Sequence, residues 1–218
     1  MRGMGFLAIW SEIAPKALTD YRHWLTREHT TERVTTEGFL ASRVFRADRA
    51  DIDRFFILYE LENPEVLDGP AYLARLNAPT PWSQRIMPQL GNFVRGGGII
   101  AARAGRGEGS TIVALRTERL PDEPRRFADA LVALDGIAAV QIGATDKART
   151  SVPTVEKGMR QNEGFFAGLL IIEALDETSL RSALRKAVEI APQVVAGADD
   201  PDIYRGIFAL DARIASFE

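Results

Sequence analysis

A histidine interrupts the apolar face of a helical pattern at residues 19–34, TDYRHWLTREHTTERV. At ~100° per residue, Leu18, Tyr21, Leu25, His29 and Glu32 fall along one stripe, with Trp24 and Glu28 beside it. His23 lies roughly opposite, toward water. The stripe is apolar until it nears the helix end. A polar group on such a face must find hydrogen bonds or open onto a cavity. Glu32, three residues on, is within reach of one ring nitrogen and is the candidate orienter of the ring. The other nitrogen is then free to take or give a proton near neutral pH. His29 is thus the candidate general acid–base. The competing reading is a structural histidine, bonded to Glu32 or to a strand carbonyl.

Other residue types suit a pocket around that base. Arg43 lies on an expected strand. If Val44 points to the helices, Arg43 points to the interior, where a guanidinium binds a carboxylate or enolate. Trp10 and Tyr59 suit an aromatic cavity wall, though strand aromatics are commonly plain core. Glu12 is a general base if desolvated and an ordinary strand end if not. Trp24 flanks the histidine stripe. The APTPWSQR stretch at 78–85 marks either a pocket edge around Trp82 or a rigid turn. The glycine-rich stretches near residues 96–109 lack the Lys-Ser/Thr ending of a phosphate loop and read as linker. Two histidines on different helix faces do not chelate one metal ion. A haem ligand at His29 has no attachment motif behind it. No cofactor is expected.

The elements that would position these residues repeat. Strand-like segments at 5–13, 40–47, 54–62 and from 93 onward alternate with helical stretches in the order β-α-β-β-α-β. After the glycines the order recurs, with strands at 110–118, 136–144, 164–175 and 202–214 and helices at 124–134 and 176–190. Gly38-Phe-Leu-Ala-Ser-Arg-Val44 lies over Gly136-Ile-Ala-Ala-Val-Gln-Ile142, and Glu60 over Glu173. The second copy carries an extra polar loop at 145–163, a candidate cover for a cavity mouth. Each unit is a ferredoxin-like arrangement, whose sheet has one bare face. Two units in one chain cover those faces by closing into an α/β barrel. The expected division is residues 1–95, a linker at 96–109, and 110–218. The fold class is α+β.

Composition narrows the function. A net charge of −3 with no basic aromatic-interleaved patch argues against nucleic acid. With no cysteine there is no disulfide, thiolate nucleophile or thiolate metal site. No run approaches a membrane span, and the N-terminal segment reads as a strand rather than a secretion signal, so a cytoplasmic protein is expected.

Tyr21, Trp24, Glu28 and His29, followed by Gly38-Phe39 and Arg43, form a pattern that resembles the EthD-like families of the dimeric α/β-barrel superfamily. The resemblance covers about the first 95 residues. It implies a cofactor-independent enzyme on a small hydrophobic or aromatic carbonyl compound: a cyclase, isomerase or monooxygenase working by proton transfer. It also implies His29 as a site residue and leaves a homodimer open. The alternative is a non-catalytic ligand-binding or stress-associated accessory protein. The second copy has no Trp, His or Glu-His dipeptide in its first helix, and Gln141 stands where Arg43 does, so one asymmetric site in the first half is expected.

Overall fold

Strand β1 (Gly5–Ile13) carries two alternating apolar sets, and both are buried. Phe6, Ala8 and Trp10 join one cluster, Leu7, Ile9 and Ile13 another. A strand buried on both faces needs two layers of cover. A computed structural model, which describes residues 3–160, 163–195 and 201–215, shows how the chain provides them.

After a 3₁₀ turn at Pro15–Ala17, helix α1 (Leu18–Trp24) runs through a π-helical turn (Leu25–His29) into α2 (Thr30–Val34). Strands β2 (Phe39–Ala47) and β3 (Asp53–Leu61) lead to α3 (Pro70–Asn77), α4 (Pro81–Ile86) and β4 (Gly91–Gly105). Next come β5 (Thr111–Thr117), α5 (Pro124–Val132), β6 (Ile137–Thr145) and the short helices α6 (Lys147–Thr150) and α7 (Val155–Gly158). The chain ends with β7 (Gly168–Ala174), α8 (Glu177–Ile190), β8 (Ile203–Asp211) and α9 (Ala212–Ala215).

The eight strands form one closed antiparallel barrel in the order β1-β3-β2-β8-β5-β7-β6-β4. The first four strands stand together as β4-β1-β3-β2 and the last four as β8-β5-β7-β6. The pairs β2–β8 and β4–β6 join the two sets. Outside the barrel, Tyr21, Trp24, Leu25, Tyr72 and Ile86 of the first-half helices pack on Leu7, Ile57 and Tyr59. In the second half, Phe127, Leu131, Leu180 and Ala183 pack on Val113, Val140 and Ile172.

Residues 96–109, expected as a linker, are strand as far as residue 105. Gly91–Gly105 is one 15-residue strand whose first part pairs with β1 and whose second part pairs with β6. The glycines there serve close approach, not flexibility. A Cβ on Gly97 would sit 2.6 Å from the Phe6 carbonyl oxygen, and one on Gly98 would sit 2.0 Å from that of Ala144.

The barrel interior is a packed core rather than a chamber. Trp10 lies 4.7 Å from Phe56 and 5.2 Å from Phe166 between ring centroids, with Phe6, Phe45, Leu58 and Ile171 filling the space beyond. Arg43 does point inward, as the burial of Val44 among the helices requires. It is taken up there by protein. Its Nη1 donates to Glu173 at 2.8 Å and its Nη2 to the Gly109 carbonyl at 2.8 Å. Glu173, fully buried, also accepts from Gln141 Nε2 at 2.7 Å and from the Gly109 amide at 2.9 Å. A carboxylate so placed depends on its counter-charge. Arg43→Met should therefore lower the unfolding free energy by about 3–5 kcal/mol in denaturant titration. An arginine held in reserve for substrate would leave that value nearly unchanged.

Candidate active site

The π-helical turn shapes the site. Thr30 directs both its amide and its hydroxyl to the Leu25 carbonyl five residues back, the hydroxyl at 2.6 Å. A widened turn puts every later residue out of phase with a uniform helix, and such turns are frequent at functional sites. His29, Thr30, Arg33 and Val34 consequently face inward and are buried. Glu32 moves to the rim, where it accepts from Arg33 Nη1 at 3.1 Å. It does not orient His29.

His29 lies between α1–α2 and the outer face of the barrel, 5% exposed. Its ring stacks on Trp24 at 4.2 Å and 26°. Trp24 in turn is anchored by Nε1 donating to Ser83 Oγ of α4 at 3.1 Å. The buried Nδ1 of His29 has no hydrogen-bond partner. Burial drives the ring's pKa well below its ordinary 6.5, and the charges of Arg33 and Arg160 push the same way. The imidazole is neutral at physiological pH.

Three tyrosines and three arginines complete the surroundings. Tyr21 is hydroxyl to hydroxyl with Ser11 at 3.5 Å, and the buried Tyr59 Oη has no partner. Burial raises the pKa of both phenols, so both keep their protons. Arg33 is ion-paired with Glu156 of α7. Arg95 donates to Tyr72 Oη and to the Thr150 carbonyl, each at 3.2 Å. The Arg160 guanidinium carbon lies over Phe93, 4.3 Å from the ring centroid. Glu156, Thr150 and Arg160 all come from the 145–163 segment, so the second half of the chain closes a site built on the first. Arg149 ties that segment down through Asp68 at 2.6 Å and Glu65 at 3.0 Å. The cavity these groups enclose measures about 20 Å³, the space of a water molecule.

The structure brings His29, Trp24 and Tyr59 together and leaves the other expected residues elsewhere. Arg43 is inside the barrel. Trp10 and Glu12 line a separate open pocket of about 530 Å³ at the other end of the barrel from Arg43, with Arg54, Arg116 and Tyr204. Glu12 accepts from Arg54 Nε at 2.9 Å and from Asn92 at 2.7 Å, so it is a paired carboxylate. Trp82 packs half-buried against the helices, with Nε1 donating to Asp20 at 2.9 Å. Arg33, Arg95, Arg160, Glu156 and Tyr72 were not singled out from the sequence. Only the polar 145–163 insertion hinted at the two from the loop. Among the described residues, no three His, Asp or Glu side chains gather as a metal-binding set. Among the described residues, the corresponding layer of the second half has no buried ionisable side chain.

No family model and no curated protein sequence matches the chain. Among solved structures, an anthrone oxidase-like protein superposes with a TM-score of 0.63 at 14% identity, over 97% of this chain and 94% of the other. A protein from Fusobacterium nucleatum named a putative monooxygenase gives a TM-score of 0.54 at 13% identity, over 97% and 96% of the two chains. The likeness is one of fold. In this protein one chain supplies all eight strands of the barrel. No helix among the described residues is long and apolar enough to cross a membrane.

The neutral ring leaves a signature in stability. Below pH 6.5 the unfolded chain protonates this histidine and the folded chain does not, so the unfolding free energy falls as pH drops toward the folded-state pKa. The slope from this one group approaches ~1.4 kcal/mol per pH unit. His29→Gln should flatten the denaturation profile between pH 6.5 and 5 by that amount. An unchanged profile would mean that the ring titrates normally.

Proposed function

We propose that the pocket beside His29 is the reaction site of a small-molecule enzyme that moves a proton on an enolisable or aromatic carbonyl compound, without a cofactor. The observation that carries this reading is the state of the ring: a neutral imidazole, clamped on Trp24, with a buried nitrogen that no protein group occupies. The ring is unprotonated and can accept a proton from beside a carbonyl, although burial and the two arginines also weaken it as a base. The proton passes from carbon to His29, and the electron pair remains on the substrate as an enolate. In cyclisation or isomerisation the enolate reacts onward and the proton returns. In the oxygenating variant, dioxygen is the second substrate: a ring CH₂ becomes C=O and the other oxygen atom leaves as water. The names of the two fold neighbours support including anthrones among the substrates tested.

We also read the chain as two tandem ferredoxin-like repeats of EthD-like kind, 1–95 and 110–218. The matching strand orders of the two halves support it. So do Gly38 and Gly136, aligned in the two copies and both at positive φ (83° and 72°) just before β2 and β6. A cytoplasmic location belongs to the same reading.

A ring system needs more room than the closed cavity offers, so α7 must swing away for substrate to enter. The exposed Arg149 pairs that hold its segment are individually weak. The closed volume favours a second reading, a ligand-binding or accessory protein without catalysis. One assay separates the two. Anthrone, cyclic 1,3-diketones and hydroxynaphthoic acids are incubated with the protein while oxygen uptake and absorbance are followed. The enzyme reading expects turnover of at least one compound and a loss of about 10²–10⁴-fold in kcat for His29→Gln, with little change in Tm. Ligand-induced stabilisation without turnover, or full activity in His29→Gln, would establish the second reading or return His29 to a structural role.

A further inference from the structure

Three buried polar atoms around the His29 cavity have no partner: His29 Nδ1, Tyr59 Oη and Arg160 Nε. The third is the most costly, because a guanidinium taken from water needs both counter-charge and hydrogen bonds. The three arginines of the pocket differ in this respect. Arg33 is paired with Glu156 and Glu32. Arg95 donates to Tyr72 and to Thr150. Among the described residues Arg160 has no hydrogen bond to a carboxylate. Glu156, already held by Arg33, lies 3.9 Å from it and Glu163 lies 3.6 Å away, both beyond a good N–H···O bond. Among the described residues its one hydrogen-bond contact is the Met87 sulfur at 3.7 Å. The side chain is nevertheless only 5% exposed.

We infer that the pocket selects an oxygen anion, a carboxylate, phenolate or enolate oxygen, and that Arg160 is the residue that selects it. The inference rests on the reading of this pocket as the substrate site. The anionic oxygen accepts from Arg160 Nε and from Tyr59 Oη, which burial keeps protonated, so two unpartnered donors are satisfied by one acceptor. His29 stands beside them as the proton acceptor. For a phenol the step balances simply: the O–H bond breaks, the proton goes to the imidazole, and the electron pair stays on the oxygen facing the guanidinium. Arg43, the residue that the sequence suggested for this role, is occupied by Glu173 inside the barrel.

The test compares benzoate with benzamide, its uncharged counterpart of the same shape, by calorimetric titration of the full chain. 4-Nitrophenol is added as a probe whose colour reports its ionisation. Wild-type protein should bind benzoate at least tenfold more tightly than benzamide and should bind 4-nitrophenol as the coloured phenolate below its pKa in free solution. Arg160→Met keeps the length and apolar character that suit Met87 and Phe93. It should abolish both effects without lowering Tm, since the guanidinium it removes has no good partner. Arg116→Met, at the barrel mouth, should change neither. Should Arg160→Met fail to fold, Arg160→Gln replaces it and must show the same loss of selectivity. Equal binding of the two ligands by wild type, or selectivity kept in the Arg160 variants, overturns the inference. Anion binding without turnover of any carbonyl compound would sink the enzyme reading alone. Turnover without anion selectivity would sink this one alone.

Discussion

A closed barrel has no strand edge, and where helices wrap it little strand face is left for water. That constraint governs the rest of the molecule. Strands β1, β3 and β7 are buried along almost their whole length, so every polar side chain they carry must be matched from within. Inside the barrel the matching is complete for Glu173, which receives Arg43, Gln141 and the Gly109 amide. Outside, under α1 and α2, it is left incomplete at His29, Tyr59 and Arg160. Two buried polar clusters in one protein thus differ in kind. In one a carboxylate is fully matched and only Gln141 Oε1 goes unpartnered, while in the other three atoms lining one cavity do.

The asymmetry between halves follows from the same accounting. The helix layer of the second half is filled by Phe127, Leu131, Leu180 and small alanines, and among the described residues no buried ionisable side chain joins them. The first half holds its polar groups under a cover supplied by the other half, through Glu156 and Arg160. The ion pair between Arg33 of α2 and Glu156 of α7 spans 123 positions of sequence. It ties completion of the pocket to closure of the barrel.

Much of this was legible in the sequence. Trp10 was readable as an aromatic of the wall or core, and the helical stripe marked His29 as a polar intruder on a buried face. The order of strands and helices was readable in both halves. Three things were not. The glycines of β4 look like linker because their need, close passage of neighbouring backbone, exists only once the strands are assembled. The roles given to Glu32 and Arg43 depended on phase and partners. Phase was lost at the π-helical turn, and the partner of Arg43 lies 130 residues away. Arg160 and Glu156 sit in a polar insertion with no periodicity, where local pattern says nothing about what the loop will touch.

The turn at Leu25–His29 has one more consequence. Because it holds one residue more than the regular spiral would, the orientation of everything after it is set by a count rather than by side-chain identity. Trimming a single position there would let the spiral tighten and swing the Arg33 guanidinium away from Glu156, although no pocket residue had been altered. In a lineage of such chains, the length of this short segment would separate working pockets from sealed ones more sharply than any substitution within them.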